Sequence, residues 1–244
     1  VFLSSVAAYS FAGSCASCNQ IIFKQNKGQW QNNILYKAEI KNGAIFFEQN
    51  CITFNLFDTR DIIRIKGDHH RLENYTPTID YSMNFHAFKM KFENASASAG
   101  TKGSNAIKEY FNYFIGNDKS KWASKVAAYH QLDYNNLYNG IHLKVSSKEN
   151  ALKYVYEVEK GIDAALLKIN FEGTDGVSLD AQGNLKIKTA VGDVMDLKPY
   201  AYQIINGRET EVPCSFSVKG NSLAYNFPTG YDKTQILFID PTLV

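Results

Sequence analysis

A hydrophobic period of two constrains this chain more than any other feature. In the run Phe85 to Phe92, Phe88, Met90 and Phe92 share one side while Lys89 and Lys91 take the other. Side chains alternate across a strand, so the pattern specifies a sheet with one buried face and one wet face. Leu152, Tyr154, Tyr156 and Val158 repeat it, with Lys153 and Glu157 opposite. Ile141, Leu143 and Val145 precede them across a polar Ser147 to Asn150 turn, so 141–158 reads as a hairpin. Ile45 to Glu48 and Ile52 to Phe57 form another around Gln49 and Asn50.

Turn signals set the rest of the spacing. Gln182-Gly183-Asn184, Val191-Gly192-Asp193, Asn206-Gly207 and Gly220-Asn221 punctuate short strands in the second half. Asn206-Gly207 is the sharpest of these, because a type I′ turn needs positive φ at both central residues. Helix is expected only as short segments, one around Lys119–Lys125 entered at Asn117 or Asp118, another near Asp163–Leu167. Fifteen tyrosines and sixteen phenylalanines against three methionines also suit a pleated surface. The expected fold is all-β, β-sandwich-like, with two packed lobes of short antiparallel strands. Residues 94–105, rich in Ser, Ala and Gly, read as a linker between a lobe at 20–95 and one at 105–244. A continuous domain over 20–244 is the alternative, and 66–80 reads as a long surface loop.

Charge excludes one class of partner. With 26 basic and 24 acidic residues and no long run of either sign, the chain has no nucleic-acid footprint. Its interior has no stretch approaching the ~18 apolar residues of a spanning helix. Residues 1–16 open apolar and small, VFLSSVAAYSFA, and read as the apolar and cleavage regions of a secretory signal, so a secreted or cell-surface location is expected. Cys15 and Cys18 form a C-x-x-C without the context that redox or zinc chemistry requires, and Ala12 stands where acylation of Cys15 usually has a larger aliphatic residue. Cys51 and Cys214 lie in strand-like segments; a disulfide and two buried thiols both stay open.

Catalytic signatures are missing from the sequence. Asp68-His69-His70 resembles metal ligands, yet adjacent histidines of a strand diverge, and a solvated loop explains them better. His86, His130 and His142 stand singly. There is no G-x-S-x-G, H-E-x-x-H or phosphate loop. Glu48, Glu93, Glu157 and Glu172 occupy strand ends or polar faces, the ordinary place of a carboxylate. Asn117, Asp118 and Asp232 do not form a calcium loop, and no cofactor is implied.

Residues 109–126, EYFNYFIGNDKSKWASKV, crowd five aromatics beside a polar turn. Alternation sends Phe111, Tyr113 and Ile115 one way and Tyr110, Asn112 and Phe114 the other. A strand apolar on both faces belongs between layers, so the segment reads as core at the joint of the lobes, with Trp122 folded back as a lid. Trp122, Trp30 and Tyr138 are the candidate ligand-binding residues, with Tyr129 and Tyr134 as further stacking surfaces if exposed.

Several motifs stand in a fixed order: FKQNKGQW (23–30), NYFIGNDKSKWASKVAAY (112–129), YNNLYNGIHLKV (134–145), LKYVYEV (152–158), INFEGTDGVSLDAQGNLKIKT (169–189), PYAYQIINGRETEVPCSF (199–216) and YDKTQILFIDPTLV (231–244). This series resembles an uncharacterised N-terminal domain family of large secreted or surface proteins from gliding and related Gram-negative bacteria. Those proteins carry SBBP-type propeller repeats, PKD or Ig-like modules, and gliding-motility-associated C-terminal domains read by type IX secretion. The chain departs from the family at 159–164, where Glu-Lys-Gly-Ile-Asp-Ala replaces a Pro-Gly-Ala-Asp-Pro turn. It closes on the family's end motif, which implies a module of a longer protein. The resemblance implies no catalytic residue. It implies a non-enzymatic extracellular structural or adhesion-related module whose partners are neighbouring domains, extracellular polysaccharide or a cell-surface protein. A carbohydrate- or matrix-binding module is the alternative, and a glycoside hydrolase-like enzyme comes third.

Overall fold

The computed structural model of the protein describes residues 20–70, 81–148 and 151–244. The expected signal segment, with Cys15 and Cys18, lies outside the described residues, as does the 71–80 part of the expected loop. Strand accounts for 58% of the structure and helix for 6%, which makes the fold all-β.

The first strands are β1 (Phe23–Gln25), β2 (Tyr36–Ile40), β3 (Gly43–Phe47), β4 (Cys51–Phe57) and β5 (Phe85–Phe92). Two long strands follow, β6 (Gly100–Tyr113) and β7 (Ala123–Tyr138), then β8 (Ile141–Lys148), β9 (Ala151–Val158) and β10 (Lys168–Glu172). The last are β11 (Gly176–Leu179), β12 (Leu185–Lys188), β13 (Val194–Ile205), β14 (Arg208–Glu211), β15 (Ser215–Lys219), β16 (Ser222–Asn226) and β17 (Leu237–Leu243). All ladders are antiparallel and join in one sheet that curls into a nearly closed barrel.

The ring is organised around β7. β1 and β8 share one of its edges, β1 at Ala128 and Tyr129 and β8 from Leu132 onward, while β6 takes the other edge. From β1 the wall runs through β2, β3, β4, β5, β10 and β16 to β15. From β8 it runs through β9, β17, β13 and β12 to β11, which faces β15 across the seam. β6 therefore lies outside the ring.

The hairpins and faces expected from alternation are present. Phe88, Met90 and Phe92 are buried on β5, and Leu152, Tyr154, Tyr156 and Val158 on β9, with Val145 opposite Tyr154. Asn206 and Gly207 take φ of 52° and 74° between β13 and β14, the geometry of a type I′ turn. The expected helical segments are single 3₁₀ turns, Lys119–Lys121 capped by Asp118 and Ala164–Leu166 capped by Asp163. Pro199 and Pro241, which cannot donate to a ladder, sit where the β13–β17 register shifts.

Three expectations need correction. The linker at 94–105 is strand from Gly100 onward, because β6 pairs with β7 from its first residue. Strands of both expected lobes pair directly, β5 with β10 and β1 with β7, over one hydrophobic core that includes Phe23, Phe54, Tyr134, Tyr156, Phe171 and Ile239. Finally, an α-helix, α1 (Thr59–His70), runs into ground expected to be loop from residue 66. Its apolar face is weak, and Ile63 is exposed. Polar bonds start it instead: Asp58 Oδ1 accepts from the Arg60 N–H at 2.9 Å, and Asp61 Oδ2 from the Asn84 N–H at 2.9 Å.

Candidate functional site

The β6–β7 hairpin extends beyond β1, and its end carries the aromatic segment. Gly116, at φ 73°, starts the turn. Asp118 then caps the 3₁₀ turn, accepting from the Ser120 N–H at 3.1 Å and its hydroxyl at 2.6 Å. The register slips after Ala106 and again after Phe111. The second bulge is held by Asn112 Oδ1, which accepts from the N–H of Lys125, a residue at φ 51°.

One face of this end is clamped to the barrel. The rings of Trp30 and Tyr113 meet edge-to-face at 5.3 Å, and Lys24 Nζ lies 4.5 Å from the Phe111 ring. Lys37 Nζ reaches the rings of Trp30 and Phe46 at 5.7 and 5.8 Å. Glu39 completes the cluster, accepting from Lys24 and pairing with Lys37 at 3.4 Å. Burial alone raises the Glu39 pKa, but the two ammonium groups outweigh it and hold the carboxyl below its ordinary value. Burial, with Glu39 nearby, pushes the Tyr113 hydroxyl up.

The opposite face is open. Tyr110, Phe114, Ile115 and Trp122 are exposed by 59, 58, 62 and 40%. Trp122 donates its indole N–H to the Gly116 carbonyl at 3.2 Å and packs edge-on against Phe114 at 5.7 Å. Lys119 Nζ stands 5.8 Å from the indole. An apolar cluster held open to water by its own hydrogen bonds suits contact with another molecule.

The core reading of 109–126 is therefore overturned. Alternation identified a strand apolar on both faces, but β6 lies outside the ring and, among the described residues, no second layer covers its far end. Trp122 is a lid on the hairpin tip alone. Trp30, half-buried, serves as the clamp. Tyr138 is buried and donates its hydroxyl to the Lys168 carbonyl at 2.8 Å, so it offers no stacking face. Tyr134 is likewise core, and Tyr129 packs edge-on to Tyr36. Cys51 and Cys214 are not joined: both are free and buried, and burial pushes each thiol up to about 12. One opens β4 beside Glu48 and the other precedes β15 in a different part of the wall.

Two of the single histidines and the four glutamates that the sequence marked have a local structural use, Glu93 accepting from the Ser222 hydroxyl at 3.2 Å. His86 accepts the Ala190 N–H on Nδ1 at 3.2 Å and meets the Gly173 carbonyl at 2.7 Å. His142 accepts the Asn136 N–H at 3.1 Å and meets Glu159 at 2.9 Å. Glu48 accepts from Asn33 and Thr53, Glu157 pairs with Lys144 at 2.9 Å, and Glu172 with Lys91 at 3.1 Å. Asp118 and Asp232 cap turns. Among the described residues, no cluster of His, Cys, Asp or Glu has metal-binding geometry. The backbone at Asp68 to His70 is helical.

One acid was not foreseen. Asp196 is 1% exposed and accepts a hydrogen bond from the Tyr154 hydroxyl. Its Oδ1, like the hydroxyls of Tyr156 and Tyr225, has no hydrogen-bond partner among the described residues. Burial pushes its pKa up to about 7 despite the Tyr154 bond. The parity of Val194 and Asp196 on one strand face was the signal for it.

A family model described as Domain of unknown function (DUF7948) matches residues 23–242. The chain belongs to this family. No curated protein and no solved structure matches it. The DUF7948 match runs from β1 into β17 and takes in the aromatic hairpin, so the ring and its projecting arm together make up the family unit. No helix among the described residues is long and apolar enough to cross a membrane.

Proposed function

We propose that this DUF7948 domain is a non-enzymatic, adhesion-related module at the N-terminus of a large exported surface protein. Such a protein would be of the kind that carries SBBP-type propeller repeats and a gliding-motility-associated domain read by type IX secretion. The observation that carries the reading is the hairpin tip, where Tyr110, Phe114, Ile115 and Trp122 face solvent together. Exposed aromatic and apolar side chains in a locally braced loop lose little conformational freedom on contact, which suits adhesion. The apolar opening segment and the motif series support export. Asp196, whose raised pKa is the kind hydrolysis uses, is sealed in the core, and this supports a non-enzymatic role. Carbohydrate binding is the second reading, favoured by the open indole face of Trp122.

The test coats beads with the domain and measures their retention under flow on polysaccharide films and on immobilised surface protein. Phe114→Ser with Trp122→Ala should abolish retention while leaving the circular dichroism spectrum unchanged. Retention that survives this pair, or no retention by the wild type on any surface, would count against the proposal.

A further inference from the structure

At the other end of β6 from the tip, a cleft of about 410 Å³ opens between β6 and the loop after β1. That volume falls in the ordinary range of small-molecule sites, about 300–1,000 Å³. Gln25 and Asn32 supply its polar lining, Thr101 borders it from β6, and Ile34, Leu35 and Tyr36 form its apolar wall. Asn26 makes the frame rigid. Its Nδ2 donates to the carbonyls of Gln31 and Ile34 at 2.9 and 2.7 Å, and its Oδ1 accepts from the N–H groups of Gly28 and Trp30 at 3.0 and 3.2 Å.

The groups left over are uncharged and of mixed type. The amides of Gln25 and Asn32 each bring a donor and an acceptor, and neither is used by another described residue. Tyr36 accepts the Gly103 N–H at 2.9 Å on its hydroxyl oxygen, which leaves its own proton to donate.

From this arrangement we infer that the cleft is a binding site for a neutral saccharide. Vicinal sugar hydroxyls are donors and acceptors at once, which side-chain amides match, and the C–H face of a sugar suits Ile34, Leu35 and Tyr36. Among the described residues no Lys, Arg, Asp or Glu lines the cleft, so a uronate or sulfated sugar finds no counter-charge there. A peptide would need a run of unpaired backbone groups; β1 at Gln25 is already laddered to β2, and the Gly103 N–H is taken by Tyr36. The site is independent of the hairpin tip, and either proposal can fail without the other.

The test is a ¹⁵N-resolved titration of the whole chain with maltotriose, cellotriose, laminaritriose and N-acetylchitotriose. A trigalacturonate and a blocked neutral tetrapeptide are the comparators. At least one neutral trisaccharide should shift the side-chain amides of Gln25 and Asn32 and the Gly28 N–H. Gln25→Ala and Asn32→Ala should each weaken that binding by about tenfold, the loss of one hydrogen bond, while Trp122→Ala leaves it unchanged. The inference is overturned by shifts confined to the Trp122 indole, by tighter binding of the uronate or the peptide at the cleft, or by no shift with any neutral sugar.

Discussion

Trp30 and Tyr113 meet edge-to-face with 5.3 Å between ring centroids, and this contact fastens a projecting hairpin to the barrel wall. The tryptophan comes from the loop after β1 and the tyrosine from the last residue of β6. Their contact, with the Lys24–Glu39–Lys37 cluster beneath, orients the aromatic tip.

Trp30→Ala should therefore loosen the tip more than the barrel. A coupling of about 1 kcal/mol is expected from the double-mutant cycle with Tyr113→Ala, the size of an aromatic pair beyond its buried area. Urea denaturation supplies the cycle. Hydrogen exchange should accelerate at 109–126 and leave β9 and β17 protected; equal acceleration throughout would refute the clamp.

Asp196 predicts a pH dependence of stability. Its folded pKa of about 7 lies above its ordinary value of 3.8, so the folded state binds more protons than the unfolded one between these values. Stability from this group is fully present below about pH 4 and is lost as pH rises through 7, by roughly 4 kcal/mol at most. The difference in unfolding free energy between wild type and Asp196→Asn, measured from pH 4 to 8, should follow that curve. A difference that stays flat with pH would show that the carboxyl ionises freely in the fold.

Cys51 and Cys214 should behave as inert thiols. In a Cys15→Ser, Cys18→Ser background, a thiol reagent at pH 8 should label neither site in the folded protein, because burial holds both near 12. In denaturant without reductant both should label, as seen in the mass. A disulfide would block labelling there.

Two glycines should differ in cost for a stated reason. A Cβ at Gly43 would stand 2.1 Å from the Asn55 carbonyl oxygen on the neighbouring strand. Gly43→Ala should destabilise by about 3 kcal/mol, since backbone must move. Gly207 has open space around it but sits at φ 74°, so Gly207→Ala should cost only about 1 kcal/mol, from the left-handed backbone. Thermal unfolding of the two variants ranks them directly.

The period of two and the turn residues were enough to locate most strands, because each of these is a local property. Phe88, Met90 and Phe92 share a face wherever β5 is placed, and Asn206-Gly207 turns the chain whatever follows. The short helical turns after Asn117-Asp118 and near Asp163 were legible for the same reason. The helix at Thr59 was not, because capping bonds hold it and Asn84, twenty-three residues on from Asp61, makes one of them.

What alternation could not decide was which apolar faces would be covered. Phe111 and Tyr113 on one side, and Tyr110 and Phe114 on the other, look in sequence like a strand between two layers. Covering a face requires a neighbour from elsewhere in the chain, and only closure of the ring through β7 shows that β6 was left outside it. The same closure buries Tyr138, exposes Trp122, and brings Thr101 to the loop after β1. The residues and their periods belong to the sequence by itself; whether an aromatic became core, clamp or open contact was decided by the long-range pairing of strands.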